Sequence, residues 1–366
     1  MINSTNDIKN FINKKNVNKI FILCGKKSFS LSGAEAFLKK TFYYKKIKFF
    51  FKNSDLPILE ELIEINNKIK EFNPDLLLAV GGGTVIDYAK AANGIDIRPN
   101  LANLIINYSY PFKEKYTKLL VIPTTAGSGA EVTSSAVIYV NNAKYSFESK
   151  ILKPDYYLLI PEFLISAPNV VKASAGFDTI SQALESLISI KSNYESINYA
   201  TRSLEISTRK FLPFLKNPNF KNASDMSIAA NLAGKAIGIS RTTAPHAISY
   251  PFTSLFKISH GHAVSLFFEN VFLFIYENLT KSETNFDLKK RFSLIFDIFD
   301  VKNINDFILK ISMIKKNAGL EDDLVKLNID IEKNAKKIIG GINRLRLKNN
   351  PVKINDHDIY KILTKN

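Results

Sequence analysis

Two sets of residues in this sequence have the types and spacing to do chemistry. The first is contiguous: Gly81-Gly82-Gly83-Thr84-Val85-Ile86-Asp87-Tyr88-Ala89-Lys90. The short apolar run Asp75–Val80, bounded by Pro74, precedes it and reads as a buried parallel strand. A helical face opens after it. Strand, three glycines and a helix start predict an anion cradle, because glycine lets the backbone approach a phosphate or adopt positive φ. The free N–H groups at the helix start point at the charge. The spacing is neither the Walker pattern nor GxGxxG, and a tight strand-to-helix turn without a ligand fits the same residues.

The second set is scattered. Asp178 and Gln182 stand four apart on one predicted helix, so both side chains leave the same face. His246 and His260 follow, and three of the 4 histidines lie between 246 and 262. An oxygen donor with two imidazoles suits a divalent first-row ion, Fe²⁺ or Zn²⁺. On spacing alone, histidines in a helical region serve as well for capping or hydrogen bonding.

These residues need elements to hold them. Asn18–Cys24, Ile47–Phe51, Asp75–Val80 and Leu119–Pro123 read as strands, with Ala136–Val140 and Tyr156–Ile160 as further ones. A helical segment falls around Ser32–Lys40, and an amphipathic helix over Leu56–Phe72. The strand Leu119–Pro123 runs into a second small-residue loop, Thr124-Thr125-Ala126-Gly127-Ser128-Gly129-Ala130-Glu131. Strands alternating with helices predict an α/β nucleotide-binding domain with a parallel sheet over residues 1–165. From Ser166 the pattern turns helical: 170–190, 194–212, 224–239, 262–277 and 286–298, punctuated by Pro213, Pro218 and Pro245, with Tyr250-Pro251 and a helix break expected between His246 and His260. We therefore expect an all-α domain over 166–366, with the active site in the cleft between the two halves.

Composition narrows the function. A chain of 366 residues with 46% hydrophobic and 11% aromatic residues fills the cores of two domains. Met1–Asp7 shows no signal-peptide pattern and no window approaches a membrane span, so a cytosolic protein without membrane contact is expected. The single Cys24 excludes an internal disulfide and a cysteine-built zinc site. Lys+Arg 50 against Asp+Glu 34 gives +16, but the lysines are dispersed and no base-stacking motif accompanies them. Nucleic acid is therefore not the expected partner; a small anionic substrate is favoured by the field. Oligomeric state is left open, with a homodimer among the arrangements allowed.

Four motifs in order, Gly81–Lys90, Pro123–Glu131, Asp178–Glu185 and Ser259-His260-Gly261-His262-Ala263, make the chain resemble the iron-containing (group III) alcohol dehydrogenases over nearly its whole length. The resemblance implies a dehydroquinate-synthase-like architecture of an α/β nucleotide-binding domain and a helical domain holding one divalent ion. It would place the cofactor pyrophosphate on Gly82, Gly83 and Thr84, with Asp87 and the Thr124–Ser128 loop (Thr124, Thr125, Ser128) toward the nicotinamide. It would make Asp178, Gln182, His246 and His260 the metal ligands.

The chain departs from the family pattern at three positions. Gln182 stands where histidine is usual, Tyr250 where a second histidine near the nicotinamide is usual, and Gly25, followed by Lys26 and Lys27, where an acid often binds the ribose. A glutamine carbonyl is the harder, weaker ligand. Loss of the acid admits NADPH beside NADH. The segments Ser181–Ser186 and Ile239–Pro251 are similar to the phosphonoacetaldehyde reductases within the family. The resemblance then implies reduction of phosphonoacetaldehyde to 2-hydroxyethylphosphonate, with Arg241, Thr242 and Thr243 offering a guanidinium and hydroxyls to the dianion. Arg241 paired with a surface acid is the alternative. The proton would come from water, His262 or Tyr250. A generic short-chain alcohol dehydrogenase of the same family and a metal-depleted nucleotide-binding protein are the competing readings.

Overall fold

The computed structural model describes Ile8, Phe11 and residues 16–365. Met1–Asp7, read above for signal-peptide character, lies outside the described residues. Two compact units divide the chain: Met1–Ala167 with Asn219–Ser227, and Pro168–Pro218 with Ile228–Asn366.

The first unit is built on strands β1 (Lys19–Gly25), β2 (Lys46–Lys52), β3 (Leu76–Gly81), β4 (Lys118–Pro123) and β7 (Tyr156–Tyr157). They form one parallel sheet in the order β2-β1-β3-β4-β7. β3 is buried at every residue and β1 and β4 nearly so, as continuous apolar runs require when a sheet is covered on both faces. Helices α1 (Lys26–Leu31), α2 (Ala34–Thr41), α3 (Leu59–Phe72), α4 (Gly83–Gly94), α5 (Leu101–Ile106) and α6 (Glu162–Ile165) accompany them. The core runs through Phe21, Leu62, Leu77, Tyr88, Ile105 and Val121, and burying each large apolar side chain contributes about 1.5–3 kcal/mol. β1 leads to β2 on one side and β3 lies on the other, so the strand order reverses between β1 and β3. Ligands of open α/β sheets bind beside such a point, at the carboxyl ends of the strands. Gly25 and Gly81 end those two strands.

β5 (Ser135–Val140) does not join this sheet; it pairs antiparallel with β6 (Ala143–Glu148) as a separate hairpin. The turn residues Asn141 and Asn142 both carry positive φ, which suits the tight reversal. The lone strand expected at 136–140 is thus half of a ribbon.

The second unit is helical: α7 (Asn169–Ile188), α8 (Tyr194–Lys216), α9 (Phe220–Ser240, whose first turns group with the first unit), α10 (Ala244–Phe256), α11 (His260–Ser265), α12 (Phe268–Glu277), and further helices as far as Asp356–Thr364. Two sequence expectations need correction. Pro213 lies inside α8 and does not end it. The break expected between His246 and His260 falls after Phe256, where α10 ends before α11 opens at His260, and α10 runs through Pro251. A proline inside a helix frees the carbonyl four residues earlier; here that carbonyl, of Ala247, accepts from the amide of Asn343 at 3.3 Å. The single helix expected at 262–277 is two helices, α11 and α12, meeting at Leu266-Phe267. Among the described residues no helix is long and apolar enough to cross a membrane.

Candidate functional site

In the first unit the glycine turn links β3 to α4. Gly82 caps the helix at φ −78°, and none of Gly81, Gly82 and Gly83 has positive φ. The glycines are therefore required for space and not for backbone freedom. A Cβ on Gly82 would stand 3.3 Å from Thr125 Oγ1, and one on Gly83 would stand 3.2 Å from Ser128 Oγ. The Thr124–Ser128 loop thus lies against the turn, and Thr124 N donates to Gly81 O at 3.1 Å. The structure brings Gly82, Gly83, Thr84, Thr125 and Ser128 together at the first turn of α4, where helix N–H groups have no internal acceptors.

One helical turn on, Asp87 Oδ2 accepts from Val137 N at 3.2 Å. Lys90 is buried and donates to Thr133 Oγ1 at 3.0 Å and Ser135 O at 2.9 Å. Burial, only partly offset by Lys90, raises the Asp87 pKa to about 6. Burial likewise lowers that of Lys90 to about 8, against the pull of Asp87 and Glu131. Two opposite charges thus lie under the cradle on the same helix. Gly25 closes β1 and pairs in register with Lys52, and Lys26 and Lys27 are exposed on α1.

In the second unit α7, α10 and α11 converge. Asp178 and Gln182 leave one face of α7, and Gln182 Nε2 donates to Asp178 Oδ2 at 3.1 Å. His246 sits in the first turn of α10, its Nε2 3.2 Å from Asp178 Oδ1. His260 opens α11, its ring 5.2 Å from that of His246. Ligand atoms of Asp178, His246 and His260 all lie within 4.8 Å of one another. Burial would raise the Asp178 pKa, but the hydrogen bond from His246 and the charges of His260 and His246 lower it below the usual carboxylate value. Burial opposes a charge on His246, and the carboxylates of Glu185 and Asp178 prevail, raising its pKa to about 9. This is a negative pocket that attracts a cation.

Whether the residues fit a metal ion turns on Gln182. Its Oε1 is buried and accepts no hydrogen bond, on the side chain whose Nε2 donates to Asp178 Oδ2. An unpaired buried carbonyl costs about 1–3 kcal/mol, and a cation held by Asp178 and the histidines would satisfy it. The donor set, two imidazole nitrogens and two oxygens, fits a divalent first-row ion.

Two residues missed by sequence reasoning build this centre. A Cβ on Gly261 would lie 1.9 Å from Ser174 O and 2.9 Å from Asp178 Cβ. Only glycine lets α11 approach α7 closely enough to bring His260 to Asp178. Glu185, fully buried on α7, meets His246 Nδ1 at 2.5 Å. Both lie inside motifs quoted for the family likeness, but nothing in their spacing announces these contacts.

The structure places the other expected residues as follows. His262 Nε2 is 2.6 Å from Glu321 O, so this ring nitrogen donates to a backbone carbonyl. Tyr250 is buried on α10, one turn beyond His246. Arg241, with φ 64°, turns its guanidinium onto the carbonyls of Ile237 and Gly238 at the end of α9. Thr242 is buried, its hydroxyl accepting from Arg346 at 3.2 Å and its carbonyl from Asn349 at 3.0 Å. Arg241 and Thr242 are thus both hydrogen-bonded within the second unit.

Two family models match the chain: iron-containing alcohol dehydrogenase over residues 2–161, and the C-terminal region of the Fe-containing alcohol dehydrogenase family over 172–366. Among curated proteins it is 29% identical to the 4-hydroxybutyrate dehydrogenase of Clostridium kluyveri, over 58% of this chain and 59% of that one. It is 29% identical to the phosphonoacetaldehyde reductase of Streptomyces viridochromogenes, over 56% and 54%. The chain spans about half the length of the curated relatives it matches. The crystal structure of sulfoacetaldehyde reductase from Bifidobacterium kashiwanohense in complex with NAD⁺ superposes with a TM-score of 0.86 at 24% identity, covering 99% of this chain and 95% of that one. That likeness is one of fold.

Proposed function

Because this chain belongs to the iron-containing alcohol dehydrogenase family, we propose that it is an NAD(P)H-dependent reductase of a short anionic aldehyde, with phosphonoacetaldehyde as the first candidate. The observation that carries this reading is the grouping of the ligand atoms of Asp178, His246 and His260 within 4.8 Å of one another, with the buried, hydrogen-bond-free Oε1 of Gln182 on the same helix face as Asp178. Three relatives are named for 4-hydroxybutyrate, phosphonoacetaldehyde or sulfoacetaldehyde, each an anion on a short carbon chain, and a net charge of +16 favours such substrates.

In this reading Asp178, Gln182, His246 and His260 hold a divalent ion, Fe²⁺ being favoured over Zn²⁺ by the family. Bound there, the ion supplies Lewis-acid polarisation of an aldehyde oxygen, and the nicotinamide supplies hydride. Gly82, Gly83 and Thr84 receive the cofactor pyrophosphate on backbone N–H groups, with Thr125 and Ser128 as the facing wall and Asp87 one turn deeper. Gly25, beside Lys26 and Lys52, carries no carboxylate to repel a 2′-phosphate, so NADPH is accepted as well as NADH. The proton comes from water, from Tyr250 on the same helix as His246, or from His262, whose Nε2 donates to Glu321 O. The capping geometry of Arg241 favours a structural role for it over anion binding. A cytoplasmic setting accords with a nicotinamide-dependent reaction.

The test is oxidation of NADH and NADPH by phosphonoacetaldehyde, sulfoacetaldehyde and propanal with metal-loaded protein. The proposal requires the anionic aldehydes to be reduced with kcat/KM at least about tenfold above propanal, about 1.4 kcal/mol of differential binding. A preference for propanal contradicts the substrate class and leaves the generic alcohol dehydrogenase.

A further inference from the structure

Glu185 is wholly buried on α7, seven residues beyond Asp178 and three beyond Gln182, so the three share one helix face. Its two carboxylate oxygens are divided. Oε2 accepts from the backbone N–H of Thr243 at 2.7 Å and from the Thr243 hydroxyl at 3.0 Å. Oε1 meets His246 Nδ1 at 2.5 Å. Thr243 caps α10, and His246 sits in the first turn of that helix. One carboxylate therefore fixes both the start of the helix and the ring it carries.

We infer that Glu185 is the positioning residue of the metal centre: by accepting the Nδ1 proton of His246 it holds the imidazole in the tautomer that leaves the Nε2 lone pair for the divalent ion. The inference rests on the metal reading above. An imidazole ligates through one nitrogen only when the proton sits on the other, and carboxylate partners of this kind raise ligand basicity and fix ring orientation. The directionality is forced by Thr243. A backbone N–H can only donate, so whatever stands at 185 must turn an acceptor toward it.

That constraint makes Glu185→Gln informative, because it preserves size and removes the charge. The amide oxygen must face Thr243 N, which leaves the NH₂ group toward His246 Nδ1. The ring then either keeps a donor against a donor or moves its proton to Nε2, the nitrogen needed for the metal. The expected result is a folded protein with its melting temperature within a few degrees of wild type, and affinity for Co²⁺ and Zn²⁺ lower by about ten- to a hundredfold. The affinity is read by competition with a chromophoric chelator, without turnover. The Co²⁺ absorption bands of the variant should also shift, since a change in the histidine alters the ligand field, which a merely structural role for Glu185 would not require.

Glu185→Ala serves as the second variant: it leaves Nδ1 without an acceptor and the Thr243 N–H unsatisfied, so both melting temperature and metal affinity should fall. Unchanged Co²⁺ affinity and spectrum in folded Glu185→Gln overturn the inference while leaving the metal reading intact. Failure of the wild-type protein to take up any divalent ion overturns both. A loss of stability in Glu185→Gln with metal affinity retained assigns Glu185 to packing alone, and the inference falls.

Discussion

The glycine turn and the metal cluster are built in opposite ways. The turn is a local object: residues 81–90 are consecutive, β3 and the first turn of α4 fix their geometry, and one neighbouring loop completes it. The cluster is a tertiary object, drawn from α7, α10 and α11, and it exists only because those helices pack closely. The comparison teaches where a substitution acts. At the turn, damage stays local and reads out as cofactor binding. At the cluster, a residue that touches no ligand, such as Gly261, controls the centre through helix approach.

The predictions test that contrast, from the largest expected effect to the smallest. His246→Ala and His260→Ala should each bring turnover to background and lower bound metal, measured by elemental analysis beside the steady-state rate. Full activity in either would make the centre unnecessary and dissolve the comparison. Lys90→Met removes the positive charge that acts on Asp87 within the first unit and leaves Thr133 Oγ1 and Ser135 O without their donor, at a cost of about 1–3 kcal/mol for an unsatisfied buried group. Its pH dependence has a definite sign. Asp87, with its pKa raised to about 6 from 3.8, contributes stability below pH 4 that is lost as pH rises through 6. Lys90, lowered to about 8 from 10.5, contributes stability only as pH rises from 8 past 10.5. Wild-type stability from this pair is therefore lowest between pH 6 and 8. In Lys90→Met the carboxylate loses its counter-charge, so the gap in urea midpoint between variant and wild type should be wider at pH 7 than at pH 4.5. A constant gap contradicts the paired-charge account.

Gly261→Ala should destabilise the second unit by about 1–3 kcal/mol, the range for overpacking, and weaken metal uptake, while nucleotide binding stays near wild type. Equal loss of both functions would show that the two regions are not separable in this way. Gly82→Val should do the reverse, weakening NAD(P)H binding at least about tenfold, which is about 1.4 kcal/mol, with metal content retained; fluorescence titration of the nucleotide decides it. The smallest effect is expected at Arg241→Ala. Its guanidinium caps carbonyls at a partly buried helix end, so a loss of about 1 kcal/mol in stability is expected, with the ratio of kcat/KM for phosphonoacetaldehyde and propanal unchanged. A selective loss on the anionic aldehyde would restore Arg241 as an anion ligand.

How much was legible beforehand follows from the same contrast. β1, β3 and β4 are unbroken apolar runs, and a fully covered parallel strand needs little else to be recognised. Asp178 and Gln182 share a face because four residues make nearly one helical turn. β6 was missed although Ala143-Lys144-Tyr145-Ser146-Phe147-Glu148 alternates apolar and polar residues after the turn at Asn141-Asn142, a weaker signal than an unbroken apolar run. That α10 continues through Pro251 was not legible, because the backbone N–H that compensates for it, of Asn343, lies far along the chain. The close approach at Gly261 and the contact of Glu185 with His246 are properties of packing between helices, which no periodicity encodes. The glycine turn misled in a subtler way. Its glycines were expected partly for positive φ, and they serve for space.

The central claim is that Asp178, Gln182, His246 and His260 hold the divalent ion on which aldehyde reduction depends. The most direct measurement is the rate of NAD(P)H oxidation by phosphonoacetaldehyde followed against metal content as a chelator strips the wild-type protein. The account predicts a rate that falls to background in proportion to the ion removed and returns when Fe²⁺ is restored. An undiminished rate in fully stripped protein would contradict it.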